Sequence, residues 1–477
     1  MRDSIATNLA VFKERLVGLE FENPILDANA RPINEESIQR VWRTLVGKGW
    51  KASTDPELNV IRSVSRMFGT GEVNVNSDCA AGNLEMALPP MKTLSDAEVE
   101  YRTLLGEIVS TLAEHRMTLL ALGIQPAPIN DVREALHVNR LHHAFDAMGA
   151  STYSNNGMML ISSAHQTGVS VRLSELVATV NELTKVSGLV IALCANSPIS
   201  DWGVLPWKEW RNVAWKFRFL CNFPGFDRIA GFSERPFGSV ADFLRFHWET
   251  PPWMILPPTR SGNLVIPDRK LNCADLLRCG EIRGTTLSGE AITTAVELED
   301  INRALLLFWP FTKPHLALDT QKTTVEGFIE AYSKDDLESY LEGRLANCYV
   351  EYRVGSASPV SEEMALPALT MGLVNNLAEL IDFTHGFEWR EWQELADVAS
   401  VVGMQAQMRG GAIFQMLTEL LRIAERGLTE RRFGEERYLS VFFERIRAET
   451  TPADQAVAVF RKGGKQGLLQ LAAYPLT

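Results

Sequence analysis

The stretch Gly18-Leu19-Glu20-Phe21-Glu22 decides how this chain is read. In a strand, residues two apart share a face. Leu19 and Phe21 then point into a core, while Glu20 and Glu22 stand side by side on the opposite face. Adjacent like charges repel unless water or a cation neutralises them. Alone, such a pair describes a solvated sheet face.

The same design recurs along the chain. In Tyr349-Val350-Glu351-Tyr352-Arg353, Val350, Tyr352 and Val354 form an apolar face, and Glu351 and Arg353 share the other. In Asn83-Leu84-Glu85-Met86-Ala87, Leu84 and Met86 face one way and Glu85 the other. Asp78 lies upstream, and Ala80-Ala81-Gly82 can turn the chain tightly between them. Along Ser163–Val171, Gln166, Gly168 and Ser170 share one face, and His165, Thr167, Val169 and Val171 share the other. These runs describe a sheet with one buried face and one polar, acid-bearing face.

Further strand-like runs are Met158–Val171, Leu189–Ala195 and Ala346–Val354. Helical periodicity covers Glu35–Gly47, Ser95–Glu114, Ile129–Met148, Leu173–Val186 and Trp207–Phe219. Strands and helices do not alternate regularly, which disfavours a doubly wound parallel sheet. An α+β architecture is expected, an antiparallel sheet with helices packed on one side. From about Leu366 the pattern is helical throughout, over Leu366–Asp382, Trp392–Met408, Ala412–Arg426 and Glu436–Glu449. No linker-like segment intervenes. Residues 1–365 are therefore expected to form the catalytic sheet region and 366–477 a helical portion packed on it, one domain in all. The proline-dense Pro251–Pro258 patch reads as an extended loop or edge.

The chain has 477 residues, enough to bury a large core without disulfide or metal staples. Lys and Arg number 47 against 59 Asp and Glu, a net charge of −12. Such a balance makes nucleic acid and anionic membrane poor partners. The six cysteines form no C-x-x-C pair, as in a reduced compartment. The start lacks the long apolar core of a signal peptide, and no apolar run approaches the ~20 residues of a membrane helix. A cytoplasmic location is expected. Gly463-Gly464-Lys465 is followed by Gln466 and lacks the rest of a phosphate loop. Phe68-Gly69-Thr70-Gly71 has no third glycine before a helix, and H-E-x-x-H and G-x-S-x-G are absent.

Carboxylates gathered on one sheet face suit hard, oxygen-loving cations, Mg²⁺ or Mn²⁺. Such ions clamp nucleotide phosphates and neutralise charge during phosphoryl transfer. Arg353, beside Glu351, supplies positive charge to follow the phosphoryl group.

These residues resemble the glutamate–cysteine ligase family of carboxylate–amine ligases. Gly18–Glu22 resembles its opening G-x-E-x-E strand, and Ser77-Asp78 through Glu85–Pro90 its second acidic strand. Ile161–Val171 is similar to its T-x-Q-V-N strand, Ala195-Asn196-Ser197-Pro198 to its A-N-S-P turn, and Glu209-Trp210-Arg211 with Trp215 to the segment that follows. Asp300 through Trp309-Pro310, Tyr349–Arg353, and Leu420–Leu428 with Thr451–Asp454 continue the series. The resemblance implies a funnel-shaped antiparallel sheet like that of glutamine synthetase and the guanidino kinases, helices outside. It implies ATP as substrate with Mg²⁺ (two or three ions, Mn²⁺ an alternative). It also implies an amide bond made through an acyl phosphate, as in γ-glutamyl transfer to cysteine or a related amine.

Carried onto this sequence, the resemblance makes Glu20, Glu22, Asp78, Glu85, Gln166 and Glu351 metal ligands. Arg211 and Arg353 become the catalytic cations. Asn196, Ser197, Trp215 and Arg140 line the substrate. His142-His143, adjacent on an expected helix, read as structural. Strand register decides whether Gln166 or His165 faces the acids, since a one-residue slip inverts the faces; the alignment favours Gln166. The departures bear on substrate identity more than on metal. Asp78 stands for a glutamate, Gly168 for an asparagine or histidine, Ala304 for a histidine and Lys313 for an arginine. Two further readings stay open: a peptide-tailoring or natural-product amide ligase, and a catalytically silent regulatory homologue. Partners are expected to be small molecules, with a homo-oligomer compatible.

Overall fold

Strand β1 (Val17–Leu26) alternates as its sequence demands, and both its edges are paired. This computed structural model describes residues 15–55, 58–69, 71–78, 80–129, 162–217, 230–249, 265–269, 272–286, 288–298, 300–301 and 308–476. Within them β1 is joined by β2 (Lys51–Thr54), β3 (Ile61–Phe68), β4 (Gly71–Ser77), β5 (Asn83–Met91), β6 (Thr118–Leu119), β7 (His165–Ser170), β8 (Thr312–Leu318) and β9 (Leu345–Tyr352). The order is β8-β9-β7-β1-β5-β4-β3-β2, with β6 added at the end of β1, and every pairing is antiparallel. The protein is thus a mixed α/β structure built on a large antiparallel sheet.

Register sorts the faces. Phe21 pairs with Met86 on one side and His165 on the other, while Glu20 pairs with Ala87 and Gln166. Leu19, Phe21, Leu84, Met86, Val169, Val350 and Tyr352 are buried in the main core. Burial of such side chains is worth roughly 1.5–3 kcal/mol each.

The core face is covered by helices, and the largest apolar cluster includes residues from both the sheet region and the C-terminal portion. Thr93 caps Leu94–Glu114 by accepting from Asp96 N–H, and Asn34 caps Glu35–Gly47 through Ser37 N–H. The helix Ala365–Asn375 packs on both β7 and the helix Phe414–Arg431. Those two helices cross at backbone distance: a Cβ at Gly372 would strike the carbonyl of Ala424, and one at Gly427 the carbonyl of Gly372.

Several expectations need correcting. Leu189–Ala195 is not a strand but most of the helix Ser187–Cys194. All eight residues of that helix are buried, so it shows no polar side, and a uniformly apolar run has no period to read. Gly188 lets it lie against the helix Trp389–Val402, where a Cβ would meet Ala396 N at 2.7 Å. The strand expected over Met158–Val171 is His165–Ser170 in its described part. The expected helix Trp207–Phe219 is Trp210–Phe217 in its described part. Ile129–Met148 lies almost wholly outside the described residues, and Pro251–Pro258 entirely so. Gly463-Gly464-Lys465 falls within Pro452–Ala472, which kinks at Gly464 (φ 58°). A small antiparallel sheet, Val265–Pro267, Glu281–Thr286 and Ala291–Ala295, went unread in the sequence. No single described helix is long and apolar enough to cross a membrane.

Candidate active site

The polar face of the sheet is crossed by one row of chemistry. From β8 inward it carries Lys313 and His315, then Tyr349 and Glu351 on β9, Gln166 and Gly168 on β7, Glu20 and Glu22 on β1, Glu85 on β5 and Asn76 on β4. Cross-strand pairs fix this order: Lys313 with Glu351, Glu351 with Gly168, Glu20 with Gln166, Glu22 with Glu85, and Glu85 with Asn76. Sequence-distant acids become neighbours because six strands stay in register.

Glu22 is held from both sides. Its Oε1 accepts from Gln166 Nε2 at 2.6 Å and its Oε2 from Ala164 N–H at 2.7 Å. Gln166 therefore faces the acids. His165 faces the other way, edge-on to Phe21 with ring centroids 4.8 Å apart, its Nδ1 accepting from Ser358 N–H at 3.1 Å. Glu85 accepts from Asn76 Nδ2 at 2.8 Å. Gln166 Oε1 is buried and has no hydrogen-bond partner among the described residues.

The carboxyls on β1 and β5 are hard to ionise. Burial, then the charge of Glu351, pushes Glu20 up to about 7. Burial, then Asp78, pushes Glu22 up to about 8. Glu85 is raised well above the ordinary carboxylate range by burial and then by Glu20, Asp78 and Glu22. Asp78, just beyond β4, thus acts electrostatically on the same group.

Glu351 behaves in the opposite way. Burial works against its charge, but Arg353 and the hydrogen bond to His315 more than offset this and hold it below the usual range. Arg353 Nη1 donates to Glu351 Oε1, and His315 Nε2 bonds Glu351 Oε2. Arg353 lies one residue past β9, its N–H donating to Phe311 O. Burial lowers Lys313 to about 8 despite the opposing charge of Glu351.

Arg211 enters from the helix Trp210–Phe217. Its Nη2 donates to Arg353 O at 2.8 Å and its Nη1 to Asn212 Oδ1 at 3.0 Å, while its buried Nε has no partner among the described residues. Asn196 and Ser197 position this helix. Asn196 Nδ2 donates to Ala121 O and Ala357 O, and Ser197 Oγ accepts from Arg211 N–H. Asn196 Nδ2 is thus spent on backbone carbonyls, and the Ser197 side chain is shared between Arg211 N–H and Glu209. Trp215 lies on the same helix, but its side chain is not among those described; Arg140 and His142-His143 lie outside the described residues.

Four contributors escaped the sequence reading as site residues: Lys313, His315, Tyr349 and Glu209. The spacing of Lys313 and His315 in an alternating strand was the available signal. Glu209 is buried, accepts from Ser356 Oγ and Asn196 N–H, and anchors the turn before Arg211.

A cavity of about 510 Å³ opens beside the row. Its lining brings Glu20, Gln166 and Glu351 together with Leu16, Leu88, Pro90 and Ala346. Among the described residues no three His, Cys, Asp or Glu side chains converge as a ready-made metal cage. In this arrangement Glu22, Glu85 and Glu351 spend oxygens on protein partners.

Comparison with known proteins follows this geometry. Residues 16–246, a little under half the chain, match glutamate-cysteine ligase family 2 (GCS2). A chloroplastic glutamate–cysteine ligase of Medicago truncatula is 27% identical over 123 residues, 25% of this chain and 24% of that protein. The Arabidopsis thaliana enzyme of the same name is 28% identical over 139 residues, 28% and 26% of the two chains. The chain thus aligns with about a quarter of the length of these relatives. In fold it is similar to a glutamate–cysteine ligase from Francisella tularensis in complex with AMP (TM-score 0.54, 12% identity, 97% of this chain and 90% of that one). It is also similar to a bifunctional glutathione synthetase from Pasteurella multocida (TM-score 0.55, 13% identity, 99% and 54%). Glu351 and Arg353 lie beyond the matched stretch and join it through the sheet. Over residues 16–246 this chain is similar to glutamate-cysteine ligase family 2.

Proposed function

We propose that this protein is an ATP-dependent carboxylate–amine ligase that forms an amide through an acyl phosphate, with γ-glutamyl transfer to cysteine or a related amine as the leading reaction. The observation that carries this reading is the trio Glu20, Glu22 and Glu85 on adjacent strands, Glu22 buried and the other two half-buried, whose ionisation is suppressed. Such a trio wastes stability unless a cation joins it. All-oxygen donors fit Mg²⁺ or Mn²⁺, and Glu20, Glu22, Asp78, Glu85, Gln166 and Glu351 would hold it after giving up some protein contacts. When bound, the ions bridge phosphate oxygens and neutralise charge on the leaving group.

The chain's own residues do the rest. Arg353 and Lys313 offer positive charge beside Glu351, where a transferring phosphoryl group carries most charge in the transition state. Arg211 has an unspent Nε donor for a carboxylate or phosphate oxygen. A bare carboxylate is a poor electrophile, so phosphorylation precedes attack by the amine. On this reading the sheet is a funnel of the glutamine synthetase and guanidino kinase kind. Residues 1–365 and 366–477 work as one unit, and the protein acts in the cytoplasm on small molecules.

A second reading, a peptide-tailoring or natural-product amide ligase, is favoured by one observation: at Gly168, where the family carries a larger side chain, the Tyr349 ring takes the space instead. ADP release from Mg²⁺-ATP across amino acids, singly and in pairs, tests both. Release that needs a carboxylate and accelerates with one amine supports ligation and names the pair. Oxygen-18 from the labelled carboxylate should appear in inorganic phosphate; label found only in the product eliminates the acyl-phosphate route.

A further inference from the structure

A second cavity, of about 130 Å³, lies among the helices and shares no lining residue with the first. Glu98 and Arg102 line it from the helix Leu94–Glu114, Glu362 and Glu363 from the turn before Ala365–Asn375, and Arg437 and Tyr438 from further along the chain. At its rim Arg102 Nη2 donates to Glu98 Oε1 at 2.7 Å, Tyr438 OH to Glu98 Oε2 at 2.6 Å and Arg437 Nη2 to Tyr438 OH at 2.7 Å. Glu362 pairs with Arg445. Glu363 is treated differently. It is 4% exposed, and its carboxyl accepts from Ser361 N–H at 3.2 Å and from the Tyr474 hydroxyl. Among the described residues no cation stands within ion-pair distance of it, and burial lifts it above the ordinary carboxylate range. The same carboxyl ends a buried polar chain. Tyr474 OH stands 3.4 Å from Tyr101 OH and accepts from Asn23 Nδ2 at 3.5 Å. Asn23 follows Glu22 on β1, is fully buried, and its Oδ1 has no hydrogen-bond partner among the described residues.

We infer that this cavity binds a small zwitterion of amino-acid size, its ammonium meeting Glu363 and its carboxylate Arg102 and Arg437, and that its occupation is felt at Glu22. A buried acid without a counterion costs stability until a cation joins it, which selects an ammonium for Glu363. The rim supplies the opposite sign. Arg102 is 52% exposed in its side chain, and an exposed pair of this kind rearranges toward a ligand carboxylate at little cost. Size excludes a nucleotide, since the space is well below the ~300 Å³ at which sites for larger ligands begin. Two routes lead from the cavity to the acid row. Tyr474 and Asn23 join Glu363 to the residue after Glu22. The helix that begins two residues past Glu363 packs on β7, which carries Gln166. The binding half of the inference stands alone; the regulatory half rests on the ligase reading of Glu22.

The experiment is titration calorimetry on the full chain without ATP. The probes are glycine, alanine, serine, cysteine, aspartate and glutamate singly, with acetate and methylamine as half-ligands. At least one amino acid should bind, more tightly than either half-ligand. Glu363→Gln and Arg437→Gln should each weaken it roughly tenfold or more, while Arg353→Lys at the acid row changes it by less than about twofold. Arg437 is exposed and carries the test if Glu363→Gln disturbs folding. Saturation with that amino acid should change the Mn²⁺ affinity of the chain by about fivefold or more. Tyr474→Phe should abolish most of this change and leave amino-acid binding in place. Binding that ignores Glu363→Gln and Arg437→Gln, or that follows Arg353→Lys instead, overturns the site, as does no binding at all. An unchanged Mn²⁺ affinity overturns the link to Glu22. Failure of every substrate pair to release ADP, with amino-acid binding and the Mn²⁺ change intact, would remove the ligase reading and keep this site; ADP release without Glu363-dependent binding would do the reverse.

Discussion

Two patches of the same sheet face hold buried carboxyls and treat them oppositely. On β1 and β5, Glu20 and Glu22 are lifted to about 7 and about 8. Two strands away from β1, across β7, Glu351 is held below its ordinary range. Burial opposes charge in both patches, so burial does not decide. The difference lies in what sits beside each acid. Glu351 has Arg353 and His315 in contact. Glu22 has a glutamine, a backbone N–H and other acids. One patch carries its own counterions, and the other is shaped to receive them.

The largest expected effect breaks the receiving patch. Glu22→Gln should lower ATP turnover on the order of a hundredfold or more while leaving apo stability equal or higher above pH 8, where a repelling charge is removed. Thermal melting beside a coupled ADP assay checks both, and a variant with near-native turnover would end the metal assignment.

Next comes the self-sufficient patch. Arg353→Ala leaves the buried Glu351 with only His315 and Lys313 to offset its charge and should cost about 3 kcal/mol of stability. Arg353→Lys should fold but turn over more slowly, with kcat falling more than ATP affinity, since an ammonium cannot reproduce the planar double contact. Equal losses in kcat and affinity would place Arg353 in ground-state binding instead.

A third test sharpens the contrast through pH. Unfolded carboxyls release protons near 4.5, whereas native Glu20 and Glu22 hold theirs to about 7 and about 8. Between these values the native state binds more protons, so stability from this patch falls as pH rises, and the fall ends above about 8. Glu351 has the opposite sign: its contribution is present above 4.5 and is lost as pH drops toward its lowered value. Melting temperature should therefore decline from pH 5 to 8 without metal, and Mg²⁺ should flatten the decline. An undiminished decline in Glu20→Gln/Glu22→Gln would remove these two acids as its cause.

The smallest effect is His315→Gln. An amide can still donate to Glu351, so stability should change by no more than about 1 kcal/mol and turnover by a few-fold. A loss as large as that of Arg353→Lys would make His315 a principal counterion.

Much of this contrast was legible in one dimension. Alternation in Gly18–Glu22 and Tyr349–Arg353 placed the acids on one face because a strand has a strict two-residue period. What sits across the strand pair was harder to see. His315 and Lys313 reach Glu351 only through the β8–β9 register, which no local pattern of either strand dictates. Leu189–Ala195 failed for a different reason: a helix buried on all sides has no amphipathic signature, and its conformation is settled by what it packs against. Asn196 and Ser197 were placed at the pocket by the resemblance, yet Asn196 Nδ2 is taken by backbone carbonyls and the Ser197 side chain by Arg211 N–H and Glu209.

The crossing of Ala365–Asn375 with Phe414–Arg431 sets a limit on how this protein can change. Gly372 and Gly427 leave no room for even one methyl group where the two backbones touch. Any other residue at either position must wedge the helices apart, and the first of them rests directly on β7. The strand that carries Gln166 would move with it relative to Glu20. A change in the pocket's walls leaves this crossing alone, whereas a side chain at either glycine, far along the chain, would shift the alignment of the site.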